Sequence, residues 1–286
     1  MMTTDHTTLI SADALRTLLG AGRPIVLIDT GFDLADVAAG ERGWRKGHVP
    51  DSLYLHLDRD LSGAKTGTNG RHPLPARDVF AATLGRCGVT PQTQVVTFDR
   101  QGGMYAARLW WMLRWMGHSA VAVLDGGVAA WVASGGALVA DVDPPAAAPP
   151  YPDRPALGTT MDTDTLAMRL GRARLIDARA GERFRGEVEP LDAAAGHIPG
   201  ALNRFFKDNL DASSGRFKSA SQLRAEFAPL LGAASAAEVV HQCGSGVTAC
   251  HNLLAMEHAG LSGSVLYPGS WSEWSSNPAR PVARGG

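Results

Sequence analysis

Cysteine is scarce in this 286-residue chain: only Cys87, Cys243 and Cys250 occur. So sparse and odd a set excludes a disulfide framework and suits a reducing compartment. Neither sign of charge is in excess. Lys+Arg 27 against Asp+Glu 28 leaves a formal net charge of −1, which argues against a nucleic-acid binder. No apolar run approaches the ~18 residues of a spanning helix. The opening Met1-Met2-Thr3-Thr4-Asp5-His6 has no cationic stretch leading into an apolar one, so no secretory signal is read there. The expectation is a cytoplasmic protein, monomeric by default, with neither nucleic acid nor membrane as partner. Apolar residues are in ordinary supply: 45% hydrophobic against 19% charged, which excludes disorder as the main state. At ~150 residues per domain the length predicts about two domains.

Four landmarks then recur in order. Ile25-Val26-Leu27-Ile28-Asp29 is echoed by Arg174-Leu175-Ile176-Asp177. Gly47-His48-Val49-Pro50 is echoed by Gly196-His197-Ile198-Pro199. Gln94-Val95-Val96-Thr97-Phe98-Asp99 matches Glu238-Val239-Val240-His241-Gln242-Cys243, and Leu124-Asp125-Gly126-Gly127 matches Leu266-Tyr267-Pro268-Gly269. The spacing predicts two homologous halves, 1–140 and 158–286, joined by a segment at 141–157. Five prolines between Asp141 and Pro152 forbid a regular helix or central strand there and predict a semi-rigid extended linker. Short β-branched runs alternate with amphipathic stretches, which predicts α/β halves with mainly parallel sheets flanked by helices. In such folds ligands gather beyond the carboxyl ends of strands. Ser11 reads as the N-cap of a helix ending near Gly20. Trp110, Trp111 and Trp115 read as core.

The segment most loaded with chemistry is Cys243-Gly244-Ser245-Gly246-Val247-Thr248-Ala249-Cys250. It follows an apolar strand and precedes a helix that runs to Gly260. Two glycines let the backbone curl so that successive N–H groups point inward, and the following helix adds its positive end. This is a cradle for an anion carried on sulfur. A phosphatase-type loop would place an arginine where Ala249 stands. A zinc site from Cys243, Cys250, His241 and His251 fits no common ligand spacing. Cys87 and Cys250 read as buried structural cysteines, and His241, His251 and His258 as packing or surface residues. Cys243 reads as a nucleophile.

The loop resembles that of the 3-mercaptopyruvate sulfurtransferases of the rhodanese superfamily. Both Gly-His-(Val/Ile)-Pro segments, Leu109-Trp110-Trp111-Met112, Leu124-Asp125-Gly126-Gly127, Arg183-Phe184-Arg185-Gly186 and Gly269-Ser270-Trp271 extend the resemblance over nearly the whole chain. It implies two tandem rhodanese-like domains, the second catalytic. The first is inactive, with Asp99 where the cysteine would stand. It implies transfer of sulfane sulfur from 3-mercaptopyruvate through a Cys243 persulfide to a thiol such as thioredoxin or glutathione, or to cyanide, with neither metal nor organic cofactor. The persulfide would be held by the amides of the loop, from Gly244 through Gly246, Val247 and Thr248 to Ala249. Thiosulfate-preferring relatives carry two cations after the cysteine, where this chain has uncharged Gly244 and Ser245. Thiosulfate:cyanide transfer and a non-catalytic persulfide carrier are the alternatives. The resemblance further implies an Asp58–His72–Ser245 relay for the thiol proton and Arg183 as the carboxylate anchor. At the family's second substrate arginine this chain has Leu191, so that contact is either absent or supplied from elsewhere, Arg185 being one source.

Overall fold

The computed structural model describes residues 5–141 and 146–286. The linker expectation at 142–145 lies outside the described residues. The chain forms two compact units. The first gathers Met1–Ser62, Pro75–Leu157 and Ser213–Arg216; the second gathers Gly63–Leu74, Gly158–Ala212 and Phe217–Gly286. The halves drawn from the sequence are contiguous, whereas these units each include a short segment from the other half.

In the first unit the strands are β1 (Leu9–Ile10), β2 (Ile25–Asp29), β3 (Ser52–Tyr54), β4 (Gln94–Phe98) and β5 (Val121–Leu124). They form one sheet in the order β1-β5-β4-β2-β3, with every pairing parallel. In the second unit β6 (Thr159–Thr160), β7 (Arg174–Asp177), β8 (Leu202–Asn203), β9 (Val239–Gln242) and β10 (Val265–Leu266) take the order β6-β10-β9-β7-β8, again all parallel. The two orders are one topology written twice, as the repeat predicts. In each, the chain changes direction across the sheet between the second and fourth strands (β2 and β4, β7 and β9), which is where such sheets open a crevice.

Helices connect the strands, as parallel pairing requires. They are α1 (Ala12–Leu19), α2 (Ala39–Lys46), α3 (Arg77–Arg86), α4 (Ala106–Trp115) and α5 (Gly127–Ala133) in the first unit. The second has α6 (Thr163–Met168), α7 (Gly181–Arg185), α8 (Ala220–Leu231), α9 (Ala249–His258) and α10 (Ser270–Trp274). Ser11 caps α1 by accepting from the Ala14 amide at 3.2 Å, the role its position predicts. Trp110 and Trp111 are buried, and the Trp110 indole donates to Thr7 O at 2.8 Å.

The two Gly-His-x-Pro segments share one structural task. His48 is stacked on Trp44 and shares a 2.8 Å hydrogen bond with its carbonyl at the end of α2; His197 does the same with Phe184 near the end of α7. Each histidine also pairs its backbone with a late segment of its own unit, Val139 and Ala283 respectively. The two antiparallel hydrogen bonds between His197 and Ala283 pin the segment around Ala283 to the second unit.

Burial of His241 on β9 holds its ring well below the usual histidine range, at about 3. Nε2 lies 3.1 Å from Met256 Sδ, and Nδ1 is buried without a partner. The unfolded chain protonates this ring below pH ~6.5 while the folded chain stays neutral until far lower. Stability present at neutrality is therefore lost as pH falls through that window. At ~1.4 kcal/mol per pH unit, going from pH 7 to 5 costs about 2 kcal/mol. His241→Thr, which copies Thr97 of the sister strand, is expected to lose about 2 kcal/mol less than wild type between those pH values in urea unfolding. Equal losses would show that another group sets the acid sensitivity.

Candidate active site

The second sheet ends its central strand at Cys243. β9 is fully buried, and the chain leaves it into the loop that opens α9. Cys243 is 2% exposed. Its amide donates to Ser270 Oγ at 3.1 Å, and its carbonyl accepts from the Trp271 amide at 2.9 Å. The Gly244 carbonyl accepts from the Ser272 amide at 2.9 Å. The first turn of α10 thus fixes the start of the loop. Ser270 sits at φ 54, a conformation that is costly for any residue with a Cβ. Its hydroxyl, bonded to both the Cys243 amide and Tyr267 O, holds it there. Gly246 has φ +74, and a Cβ on it would collide with the carbonyl oxygen of Pro268, so the loop can curl this way only with glycine at that position.

The first unit shows what such a loop holds. Asp99 follows β4 as Cys243 follows β9, and its carboxylate accepts four backbone amides: Gln101 and Gly103 on one oxygen at 2.8 Å each, Tyr105 and Ala106 on the other at 2.8 and 3.0 Å. Counted along the chain from Cys243, the same places in the second unit are those of Ser245, Val247, Ala249 and Cys250. The two turns also share their outer support, since the Val128 amide donates to Asp99 O as the Trp271 amide does to Cys243 O. A strand-to-helix turn of this shape is an anion nest, and in the first half a carboxylate already fills it.

Among the residues singled out from sequence, the structure joins His72 to Ser245. His72 Nδ1 and Ser245 Oγ are 2.7 Å apart, and both residues are buried. His72 reaches the loop because residues 63–74 belong to the second unit. Asp58 belongs to the first unit and donates its amide to His56 Nδ1 at 3.1 Å. Val247 is buried and Thr248 half-buried at the start of α9. Arg185 is more exposed than Arg183 and is ion-paired with Glu187 at 2.7 Å. Leu191 is 46% exposed. Cys250 is buried in α9, its thiol donating to Gly246 O at 3.3 Å. His251 is stacked on Phe217 and shares a 3.1 Å hydrogen bond with Asn209. Burial pushes the Cys87 thiol up to about 12.

Arg183 is part of a buried charge chain that composition could not reveal. Its guanidinium pairs with Glu189 at 2.6 Å and Asp192 at 3.1 Å. Asp192 also pairs with Arg71. Glu189 pairs with Arg179 at 3.3 Å, and Arg179 with Asp177 at 2.7 Å. Arg179 lies over the Trp271 ring at 4.8 Å. Burial raises the Asp192 carboxyl above the ordinary aspartate range, against the pull of Arg71. Arg71, Glu189, Asp192 and Ser270 had passed unnoticed as site residues. For Arg71, the one signal in the sequence was its place beside His72. No group of three or more His, Cys, Asp and Glu suited to a metal occurs among the described residues, and among them no helix is long and apolar enough to cross a membrane.

Comparison with known proteins agrees with this architecture. The family described as rhodanese-like domain matches residues 11–134 and again 162–277. A Pseudomonas aeruginosa protein, provisionally named a 3-mercaptopyruvate sulfurtransferase, is 44% identical over 265 residues, covering 91% of this chain and 93% of its own. A Mycobacterium tuberculosis protein, SseB, provisionally named a thiosulfate sulfurtransferase, is 37% identical over 279 residues, covering 97% of each. Among solved structures, 3-mercaptopyruvate sulfurtransferase from Leishmania major superposes with a TM-score of 0.82 at 28% identity, over 94% of this chain and 74% of that one.

The nest in the first unit is testable on its own. Asp99→Asn replaces one acceptor oxygen by an NH2 group that faces backbone donors. It is expected to cost about 2 kcal/mol in thermal or urea unfolding while sulfur transfer by the folded protein is retained. An unchanged stability would remove the case for a nest there.

Proposed function

Because the chain belongs to the rhodanese family, with two rhodanese-like domains in tandem, we propose that it is a sulfurtransferase that moves sulfane sulfur from 3-mercaptopyruvate through a persulfide on Cys243. The observation that carries this reading is the Cys243 loop, which repeats the turn whose amides hold Asp99 in the first half but places a sulfur at the nest. A carboxylate cannot accept sulfur; a thiolate can.

The chemistry balances with the chain's own groups. The Cys243 thiolate attacks the sulfur of 3-mercaptopyruvate and an S–S bond forms. The donor's C–S bond breaks, and its electron pair passes to carbon as the pyruvate enolate. The proton carried in on the donor thiol ends on that carbon, which yields pyruvate and leaves a persulfide anion for the loop amides to stabilise. An acceptor thiolate then attacks the outer sulfur, forming a new persulfide and releasing the Cys243 thiolate; with cyanide the product is thiocyanate. Ser245 and His72 provide a hydroxyl and a ring nitrogen in contact beside this sulfur, a path on which a proton can be held and moved. Thiosulfate brings no thiol proton, so the pair has less to do for that donor. The uncharged Gly244 and Ser245 and the monocarboxylate character of 3-mercaptopyruvate favour it over a dianion. The names of the relatives divide between these two donors.

Steady-state assays with both donors and cyanide as acceptor test the reading. Cys243→Ser should abolish turnover and persulfide formation, while Cys250→Ser retains both. Ser245→Ala and His72→Ala are expected to lower kcat with 3-mercaptopyruvate by ~10²-fold and to leave thiosulfate turnover little changed. A higher kcat/KM for thiosulfate in the wild-type protein would reverse the donor assignment. A stable persulfide without turnover on either donor would make the chain a carrier.

A further inference from the structure

We propose that Arg71 is the second donor-binding arginine, closing with Arg183 on the carboxylate of the sulfur donor beside Gly244. The inference deepens the proposed function and rests on it for the identity of the donor.

Three observations place Arg71 there. First, the two guanidinium groups converge on one point next to the nucleophile. A Cβ built on Gly244 would lie 2.8 Å from Arg71 Nη2 and 3.5 Å from Arg183 Nη1. Gly244 directly follows Cys243, and because it carries no side chain both guanidinium groups come close to the loop backbone one residue from the reacting sulfur. Second, the two arginines are held side by side by one acid. Asp192 offers one oxygen to Arg71 and the other to Arg183, which presents two planar cations as a pair. Third, each arginine retains a buried Nε with no partner, unused donor capacity on both members of the pair. The backbone of Arg71 is itself fixed, because its amide donates to Ser272 Oγ at 3.0 Å. That link ties Arg71 to the same turn that anchors Cys243.

The sequence leaves the place of a second arginine to Leu191, which is exposed. Arg71 reaches the loop from a different stretch of chain, 63–74, and is adjacent to His72. One short segment thus delivers both a proton-handling group and an anion-binding group to the cysteine.

The test uses two alkylating reagents that attack the same sulfur but differ in charge, iodoacetate and iodoacetamide. The ratio of their second-order rates at Cys243, read by intact mass, reports the cations beside the thiol and is independent of donor identity. Arg71→Met is expected to lower the iodoacetate-to-iodoacetamide ratio by ~10-fold, Arg183→Met likewise, and Arg71→Lys by less. Arg45→Leu, an exposed helix residue paired with Glu41, should leave it unchanged. With 3-mercaptopyruvate, Arg71→Met should raise KM by ~10-fold or more with kcat much less affected. Thermal melts confirm that each variant is folded, and Arg71→Lys keeps a charge near Asp192 should the methionine variant unfold. A ratio unmoved in both Arg71 variants overturns the proposal even if the wild-type protein turns over 3-mercaptopyruvate. A lowered ratio in a protein that does not use 3-mercaptopyruvate upholds the arginine pair and overturns the donor.

Discussion

Everything in the site depends on a turn at the end of a buried strand, the turn whose backbone amides converge on the Asp99 carboxylate in the first unit. The turn costs conformational freedom and strain. Gly246 must be left-handed, Ser270 must tolerate φ 54, and the turn is propped from outside by the first amides of α10. Such a geometry persists only where its surroundings over-determine it, and here they do, through the hydroxyl of Ser270 and the paired carbonyl contacts of Cys243 and Gly244. The first half keeps the same turn with a carboxylate in it. Asp99 therefore reads as a permanent occupant that satisfies four donors at once, where a buried nest without an anion would leave polar groups unpaired. The duplicated loop has kept its folding role in one unit and, on the proposed reading, its chemical role in the other.

The repeat, the parallel sheets, the strand-to-helix position of the cysteine and the Ser11 cap were all legible in the sequence, because each is set by local pattern: short β-branched runs, glycine spacing, a capping serine. The task shared by His48 and His197 was visible only as a repeated motif; its meaning, closing a helix and pairing with a late segment, needed contacts more than 85 residues away for both histidines. What could not be read was which unit a segment joins. Residues 63–74 precede α3 in the chain yet belong to the second unit, and only that placement makes His72 a neighbour of Ser245. No periodicity or composition marks such a choice, because the segment carries no strand or helix of its own. The charge chain was hidden for a related reason. Arg71, Asp192 and Glu189 look like ordinary solvated residues until burial and pairing single them out.

The same charge chain bears on how a donor could bind. Arg71, Arg179 and Arg183 are matched by Asp177, Glu189 and Asp192, so the cluster is neutral when all six are ionised. A donor carboxylate entering beside Gly244 finds arginines already aligned, which removes much of the ordering cost of binding. It also finds them already paired with acids, which compete for the same guanidinium faces. In a half-buried setting the two effects pull in opposite directions, since attraction to a guanidinium and repulsion from the neighbouring carboxylate both grow as water is excluded. Asp192 is where they meet: it is shared by both arginines, and burial has raised its carboxyl above the ordinary range. The expected result is a site that holds a monocarboxylate firmly enough to orient it and loosely enough to release pyruvate, and that a dianion enters only against the residual field of Glu189 and Asp192. The arrangement that compensates the arginines thus also limits how much negative charge a donor can bring.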